Sequence, residues 1–147
     1  MRRIPLILTL VLSVTLLAGW GLEALEFTDV REQTHEFMKY EETIVLTPEQ
    51  EAIFKQALSA IPAPCCSDNT ALTCCCPCNM AKSWWGLSKH LIVNKGYDVK
   101  QVQAAVEEWF EFLNPDGFSG DVCSTGGCFR AFADNGCGGM NQEEVVF

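Results

Sequence analysis

Six of the nine cysteines in this 147-residue chain fall within residues 65–78, in the run PCCSDNTALTCCCPC. Neighbouring cysteines are too close in sequence to cross-link distant parts of a fold efficiently. The three consecutive residues Cys74, Cys75 and Cys76 cannot all find well-formed disulfide bridges. So dense a cluster is typical of a soft-metal site or of thiol–disulfide chemistry. The function is therefore expected to depend on sulfur.

The end of this run combines a C-x-x-C with a C-x-C spacing, in Cys75-Cys76-Pro77-Cys78. Two thiolates at such a spacing can chelate one metal ion or close into a small reducible disulfide. A predicted helix follows directly, and its N-terminal N–H groups favour an anion, so the pKa of Cys78 is expected to be lowered. The candidate metal ligands are Cys65, Cys66, Cys74, Cys75, Cys76 and Cys78.

Three further cysteines lie near the C-terminus: Cys123, Cys128 and Cys137. They can add ligands to the first cluster or form disulfides. In an exported protein, disulfides are the structural alternative to metal binding. Cys65 or Cys66 would then pair with the Cys74–Cys78 run, and the three C-terminal cysteines would pair with each other or join their segment to the helices. The sequence leaves the two interpretations open, and neither histidine is counted as a ligand.

The N-terminal sequence is typical of a targeting segment. Arg2 and Arg3 precede an apolar run from Ile4 to about Ala18, which is typical of a secretory signal or a short membrane anchor. We predict a signal peptide or anchor over residues 1–21, an acidic stalk over 22–46 with one short helix around 30–40, and a cysteine-rich domain over 47–147. The expected location is extracytoplasmic, in the periplasm or at the cell surface, with membrane attachment through the N-terminal segment.

The formal charge of −9 limits the possible partners. An acidic chain is repelled by phosphate backbones, so nucleic-acid binding is not expected. The sequence also contains no Ser-His-Asp pattern, phosphate loop or zinc-protease helix, and hydrolytic or phosphoryl-transfer chemistry has no support.

Capping signals predict three helices in the domain. Thr47, Pro48 and Gln50 begin the first, which ends before Pro62. The second runs from about Asn79, as N-cap, to Lys95 and stops at Gly96. In the third, Asp98 and Gln101 form a capping box, and residues 114–117 end the helix.

The short connection between the second and third helices predicts an antiparallel hairpin. From Phe118 onward glycines and cysteines dominate, which predicts an irregular lobe. The expected fold is mainly α, a small three-helix domain with a helical hairpin and a Gly/Cys-rich C-terminal lobe.

Two resemblances accompany these patterns. The run Ile61-Pro62-Ala63-Pro64-Cys65-Cys66, within residues 47–78, resembles exported proteins named for a PCYCGC motif. That likeness implies a cysteine-rich metal site. Cys75-x-x-Cys78, followed by Gly86-Leu87-Ser88 and Gly96-Tyr97-Asp98, is similar to the thiol-reductase subunits of cytochrome c maturation. That likeness implies a small three-helix domain in which Cys75 and Cys78 form the redox pair.

The leading hypothesis is a protein that binds a soft metal, Cu(I) or Zn(II), for storage, transfer or delivery. It would exchange metal with a donor or acceptor protein. The competing hypothesis is an enzyme, a thiol–disulfide oxidoreductase acting on exported thiol-containing proteins through Cys75 and Cys78. The third is a disulfide-stapled interaction module.

Overall fold

The computed structural model describes residues 25–147, and the predicted signal or anchor segment lies outside them. Four helices follow one another along the described chain: α1 at Val30–Thr43, α2 at Pro48–Ser59, α3 at Asn79–Lys95 and α4 at Val99–Leu113. This range contains no β-sheet, only one antiparallel bridge between Pro62 and Thr70. The mainly α fold class is confirmed.

Local capping sets the ends of the helices. In α2, the Gln50 N–H donates to the Thr47 hydroxyl and the Thr47 N–H to the Gln50 side chain, and Asp98 and Gln101 repeat this arrangement in α4. The α3 helix ends at Gly96, whose φ of 69° is the left-handed conformation that glycine adopts easily. These three predictions are confirmed.

The start of α3 differs from the prediction by one residue, because Cys78 and not Asn79 is the N-cap. The Ala81 N–H donates to the Cys78 sulfur over 3.4 Å. Asn79 is instead the first helical residue and is buried. Its side-chain amide donates to the carbonyls of Gly138 and Asn141, at 2.9 and 2.7 Å. This residue thus holds the C-terminal lobe instead of capping the helix.

The helix α1 packs against α3 and does not stand apart from the domain. Phe37 and Met38 are buried. Gly86 of α3 lies so close to α1 that an added Cβ would sit 1.7 Å from the Phe37 carbonyl oxygen. Lys89 also pairs with the Glu41 carboxylate at 2.8 Å. The structure therefore differs from the stalk predicted for residues 22–46, since its helix belongs to the packed unit.

The predicted hairpin is formed by α3 and α4. The Trp109 indole N–H donates to the Ser83 hydroxyl over 2.9 Å, and the rings of Trp84 and Phe110 meet edge to face. Because early residues of α3 meet late residues of α4, the two helices run antiparallel. The α2 helix packs against both.

The C-terminal lobe, residues 118–147, is irregular apart from a 3-10 turn at Gly127–Phe129. It packs on the first turn of α3, where the N–H groups of Asn79 and Met80 donate to the carbonyls of Gly139 and Cys137. Residues 25–147 contain no helix with the length and apolar character that crossing a membrane requires.

Candidate metal centre

The cysteine loop, residues 60–78, is held in place by two tryptophans. The indole N–H groups of Trp84 and Trp85 both donate to the Ala71 carbonyl, at 2.9 and 2.7 Å. The N–H groups of Ala71 and Leu72 in turn donate to the carbonyls of Ile61 and Leu58 near the end of α2. The loop is therefore fastened to α2 on one side and α3 on the other.

The C-terminal lobe reaches the same loop from a distant part of the chain. The N–H and hydroxyl of Ser67 both donate to the Asp121 carboxylate at 3.0 Å, and the Cys123 N–H donates to the Cys65 carbonyl at 3.4 Å. The bonds from Ser67 lower the pKa of the Asp121 carboxyl. These contacts bring Cys123 next to Cys65.

Four thiols at the centre of this arrangement contact one another in a ring and form what we call the inner group: Cys65, Cys74, Cys78 and Cys137. The sulfur atoms of Cys65 and Cys74 are 3.8 Å apart. Cys78 interacts with Cys74 and Cys137, and Cys65 interacts with Cys137 as well. Cys65, Cys78 and Cys137 are fully buried, and Cys74 is half-buried.

Three thiols at the surface form an outer group: Cys75, Cys76 and Cys123. The Cys75 sulfur is 3.5 Å from that of Cys123 and 3.9 Å from that of Cys76. Cys75 is exposed, and the other two are half-buried. Cys123 also lies with Cys65 and Cys137, since the three sulfur atoms are within 4.8 Å of one another. The two groups therefore adjoin through Cys123.

The inner group divides into proton donors and acceptors. Hydrogen bonds from Cys65 and Cys78 lower the pKa of Cys74 to about 3 and that of Cys137 to about 4. The pKa values of Cys65 and Cys78 are raised, because each thiol donates to Cys137 and Cys74 and is buried. The expected lowering at Cys78 is therefore wrong. The Ala81 N–H does favour the Cys78 thiolate, but the neighbouring sulfur atoms outweigh it.

In the outer group, the largest effect on the pKa values of Cys76 and Cys123 is burial. It raises the pKa of Cys76 to about 11, with a further contribution from Cys75, and it raises the pKa of Cys123 as well. A positive ion placed among these sulfur atoms would reverse these effects, because it stabilises the thiolate form.

The sulfur spacing suits a metal ion. Zinc–thiolate bonds of about 2.3 Å in a tetrahedron place neighbouring sulfur atoms about 3.8 Å apart. Three pairs of sulfur atoms have distances close to that value, 3.5 Å for Cys75–Cys123, 3.8 Å for Cys65–Cys74 and 3.9 Å for Cys75–Cys76. All nine cysteines are free thiols in the structure. The cysteine cluster can therefore hold a metal ion.

Five of the six ligands predicted from the first cluster lie in the two groups, and Cys66 does not. Its sulfur accepts a hydrogen bond from the Asn69 amide at 3.1 Å. Of the three C-terminal cysteines, Cys137 lies in the inner group and Cys123 in the outer group. Cys128 lies in neither group. The C-x4-C spacing of Cys123 and Cys128 gave no means of separating the two residues.

The histidines lie elsewhere. The ring of His90 stacks on Tyr40 with centroids 4.4 Å apart, and that of His35 lies 5.9 Å from Phe147. The candidate centre in residues 25–147 is therefore built from sulfur.

Comparison of the chain with models of protein families, with curated proteins and with solved structures finds no match.

Proposed function

We propose that this protein binds a soft metal ion, Cu(I) or Zn(II), through its clustered thiolates and stores, transfers or delivers it outside the cytoplasm. The observation that carries the proposal is the convergence of seven cysteine sulfur atoms from the cysteine loop and the C-terminal lobe. These two segments are separated in sequence by the whole α3–α4 hairpin.

The donor set selects the class of metal. Thiolates bind Cu(I) and Zn(II) strongly, whereas Mg²⁺ and Ca²⁺ require oxygen ligands. The carboxylate of Asp121, which is joined to the cysteine loop, already accepts two hydrogen bonds from Ser67. The chemistry of the site therefore favours a soft ion over a hard one.

The cellular setting of the proposal comes from the N-terminal sequence. The basic and apolar segment over residues 1–21 is typical of export or membrane tethering. A metal donor or acceptor protein is the expected partner. The acidic charge of −9 is compatible with a partner that carries a positively charged surface.

Metal analysis of the protein purified under reducing, oxygen-free conditions tests the proposal. We expect zinc or copper in a whole-number ratio to the chain. Cys78→Ser should weaken zinc binding at least about tenfold, which corresponds to about 1.4 kcal/mol, because an inner-group thiolate is lost. Cys128→Ser, outside both groups, is the matched control. Absence of bound metal, or equal affinities of the two variants, would contradict the proposal.

One contact favours a second candidate, thiol–disulfide exchange. Cys75 is exposed, and its sulfur lies 3.5 Å from that of Cys123. The sequence suggested Cys78 as the redox partner of Cys75, but Cys78 contacts Cys74 and Cys137. Cys123 is therefore the better-placed partner for Cys75. Insulin reduction in the presence of dithiothreitol tests this activity. It should be lost in Cys75→Ser and kept in Cys66→Ser.

A further inference from the structure

One sulfur atom belongs to both halves of the cluster. Cys123 lies within 4.8 Å of Cys65 and Cys137, and equally within 4.8 Å of Cys75 and Cys76. These contacts place it between the buried thiols and the surface thiols. A thiolate sulfur has several lone pairs and can bond to two soft metal ions at once.

We propose that the protein holds two metal ions bridged by the Cys123 thiolate, and that the outer ion is the one exchanged with a thiol-bearing partner. The inference rests on the proposed metal-binding function. It adds a stoichiometry of two ions, a bridging ligand and the assignment of the outer ion as the one that is transferred.

The inner ion has a closed coordination shell. Cys65, Cys137 and the bridging Cys123 supply three sulfur ligands, and Cys78, which contacts Cys137, supplies the fourth, the number that a structural zinc site uses. Three of these residues are fully buried. The carbonyl of Cys137 also accepts the Met80 N–H in the first turn of α3, at 3.1 Å. An ion held here is screened from incoming ligands by the packed chain.

The outer ion has an open shell. Only three sulfur atoms, those of Cys75, Cys76 and Cys123, form the outer group, and a zinc ion with three protein ligands keeps a fourth position for an external ligand. Cys75 is exposed, so an incoming thiol can approach from its side. The open position therefore faces solvent.

Transfer at this position is ligand exchange without oxidation or reduction. A partner thiol gives up its proton, and its sulfur forms a bond to the outer metal ion. The bond from the metal to Cys75 then breaks, and the Cys75 thiolate takes up a proton. The same exchange occurs at Cys76. A last partner thiol loses its proton to solvent and replaces Cys123, which stays bound to the inner ion as a thiolate. The outer ion then lies on the partner, and its charge is unchanged.

Zinc stoichiometry and release kinetics test the inference. Reduced protein is loaded with Zn(II), and excess metal is removed. Transfer of zinc to the chelator pyridylazoresorcinol is then followed by absorbance. We expect two zinc ions per chain, with one leaving at least about tenfold faster than the other. The doubly substituted variant Cys75→Ser/Cys76→Ser should bind one zinc ion and lose only the fast phase.

The bridging role of Cys123 can be measured separately by NMR. Cadmium NMR of the protein loaded with two isotopically enriched ions should give two resonances coupled through the shared sulfur. Cys123→Ser should abolish that coupling. Cys66→Ser and Cys128→Ser, which lie outside both groups, should keep two ions and both phases. Circular dichroism checks that each variant remains helical.

The possible results distinguish a failure of the metal-binding function from a failure of the bridged pair of ions. Absence of zinc binding by the wild type overturns the metal-binding function itself. One zinc ion per chain, or an unchanged fast phase in Cys75→Ser/Cys76→Ser, overturns the bridged pair and leaves metal binding intact. Two uncoupled cadmium resonances overturn the bridging role of Cys123.

Discussion

Gly138 illustrates how single residues shape the cluster, because it follows Cys137 directly in the chain. Its φ of +71° lies in the left-handed region, and an added Cβ would stand 2.2 Å from the ring of Phe132. Its carbonyl also accepts the Asn79 amide at 2.9 Å. Only glycine lets the chain pass under the aromatic ring at this point and still reach Asn79.

We expect Gly138→Ala to lower the free energy of unfolding by about 2–4 kcal/mol. Backbone strain contributes about 1–2 kcal/mol, and overpacking against Phe132 contributes the rest. Urea denaturation measures the change. Gly117→Ala is the matched control, since Gly117 has φ +80° and an added Cβ there meets nothing within 4 Å. Equal losses in the two variants would show that the Phe132 contact has no energetic role.

Packing between helices depends on a second glycine. Gly86 lies within α3, where an added Cβ would be 1.7 Å from the Phe37 carbonyl oxygen and 2.7 Å from the Glu41 nitrogen. Both of these atoms belong to the backbone of α1, so a side chain at residue 86 would push the two helices apart.

Gly86→Ala therefore tests the docking of α1. Helix propensity alone would make this substitution stabilising by about 1 kcal/mol. We expect a loss of stability instead, by at least about 2 kcal/mol, because the displaced helix uncovers buried apolar residues. Val93→Ala, at an exposed position of the same helix, should change stability by less than about 1 kcal/mol. A stabilising effect of Gly86→Ala would contradict the observed packing.

The same pair of helices contains a titratable contact. His90 of α3 stacks on Tyr40 of α1. Burial lowers the pKa of His90 below 6.5, and Lys95 lowers it further, although Glu36 opposes the shift. Because the folded state takes up the proton less readily than the unfolded state, stability should fall as the pH is lowered through about 6.5.

We expect His90→Gln to reduce the fall in melting temperature between pH 7.5 and pH 5. The replacement keeps a polar side chain but removes the titrating ring. His35→Gln, at an exposed position, serves as the comparison. Identical pH profiles for the wild type and His90→Gln would mean that protonation of His90 does not oppose folding.

At the scale of the whole molecule, the candidate metal site and the fold depend on each other. The site draws sulfur atoms from the cysteine loop and from the C-terminal lobe, and contacts such as Ser67 with Asp121 join those segments. The C-terminal lobe has little regular structure of its own. A metal ion bound to both segments would cross-link them in the folded state only.

Zinc should therefore stabilise the protein by linkage. At free zinc 100-fold above the dissociation constant, one site adds about 2.7 kcal/mol to the free energy of unfolding. Urea denaturation followed by far-UV circular dichroism, in a zinc buffer and in a chelator, measures the difference. Calcium should have no effect, because a thiolate site does not bind it well. Equal stabilisation by calcium would point to a site built from oxygen ligands.

The sequence alone determined the mainly α fold, the ends of α2, the C-terminal end of α3 and the limits of α4. These features depend on interactions between residues a few positions apart, such as the capping box of Thr47 and Gln50. The sequence also indicated a candidate metal site, because the chelating spacing of residues 74–78 is local too, and it left disulfides open as the alternative.

Only the tertiary structure decided which sulfur atoms meet. Cys123 and Cys137 lie with the first cluster, whereas Cys66 and Cys128 do not, and nothing in the spacing of these residues distinguishes them. The docking of α1 on α3 was likewise missed, because it requires a close approach at Gly86. Such contacts join residues far apart in sequence, so their geometry follows from the packing of the whole chain.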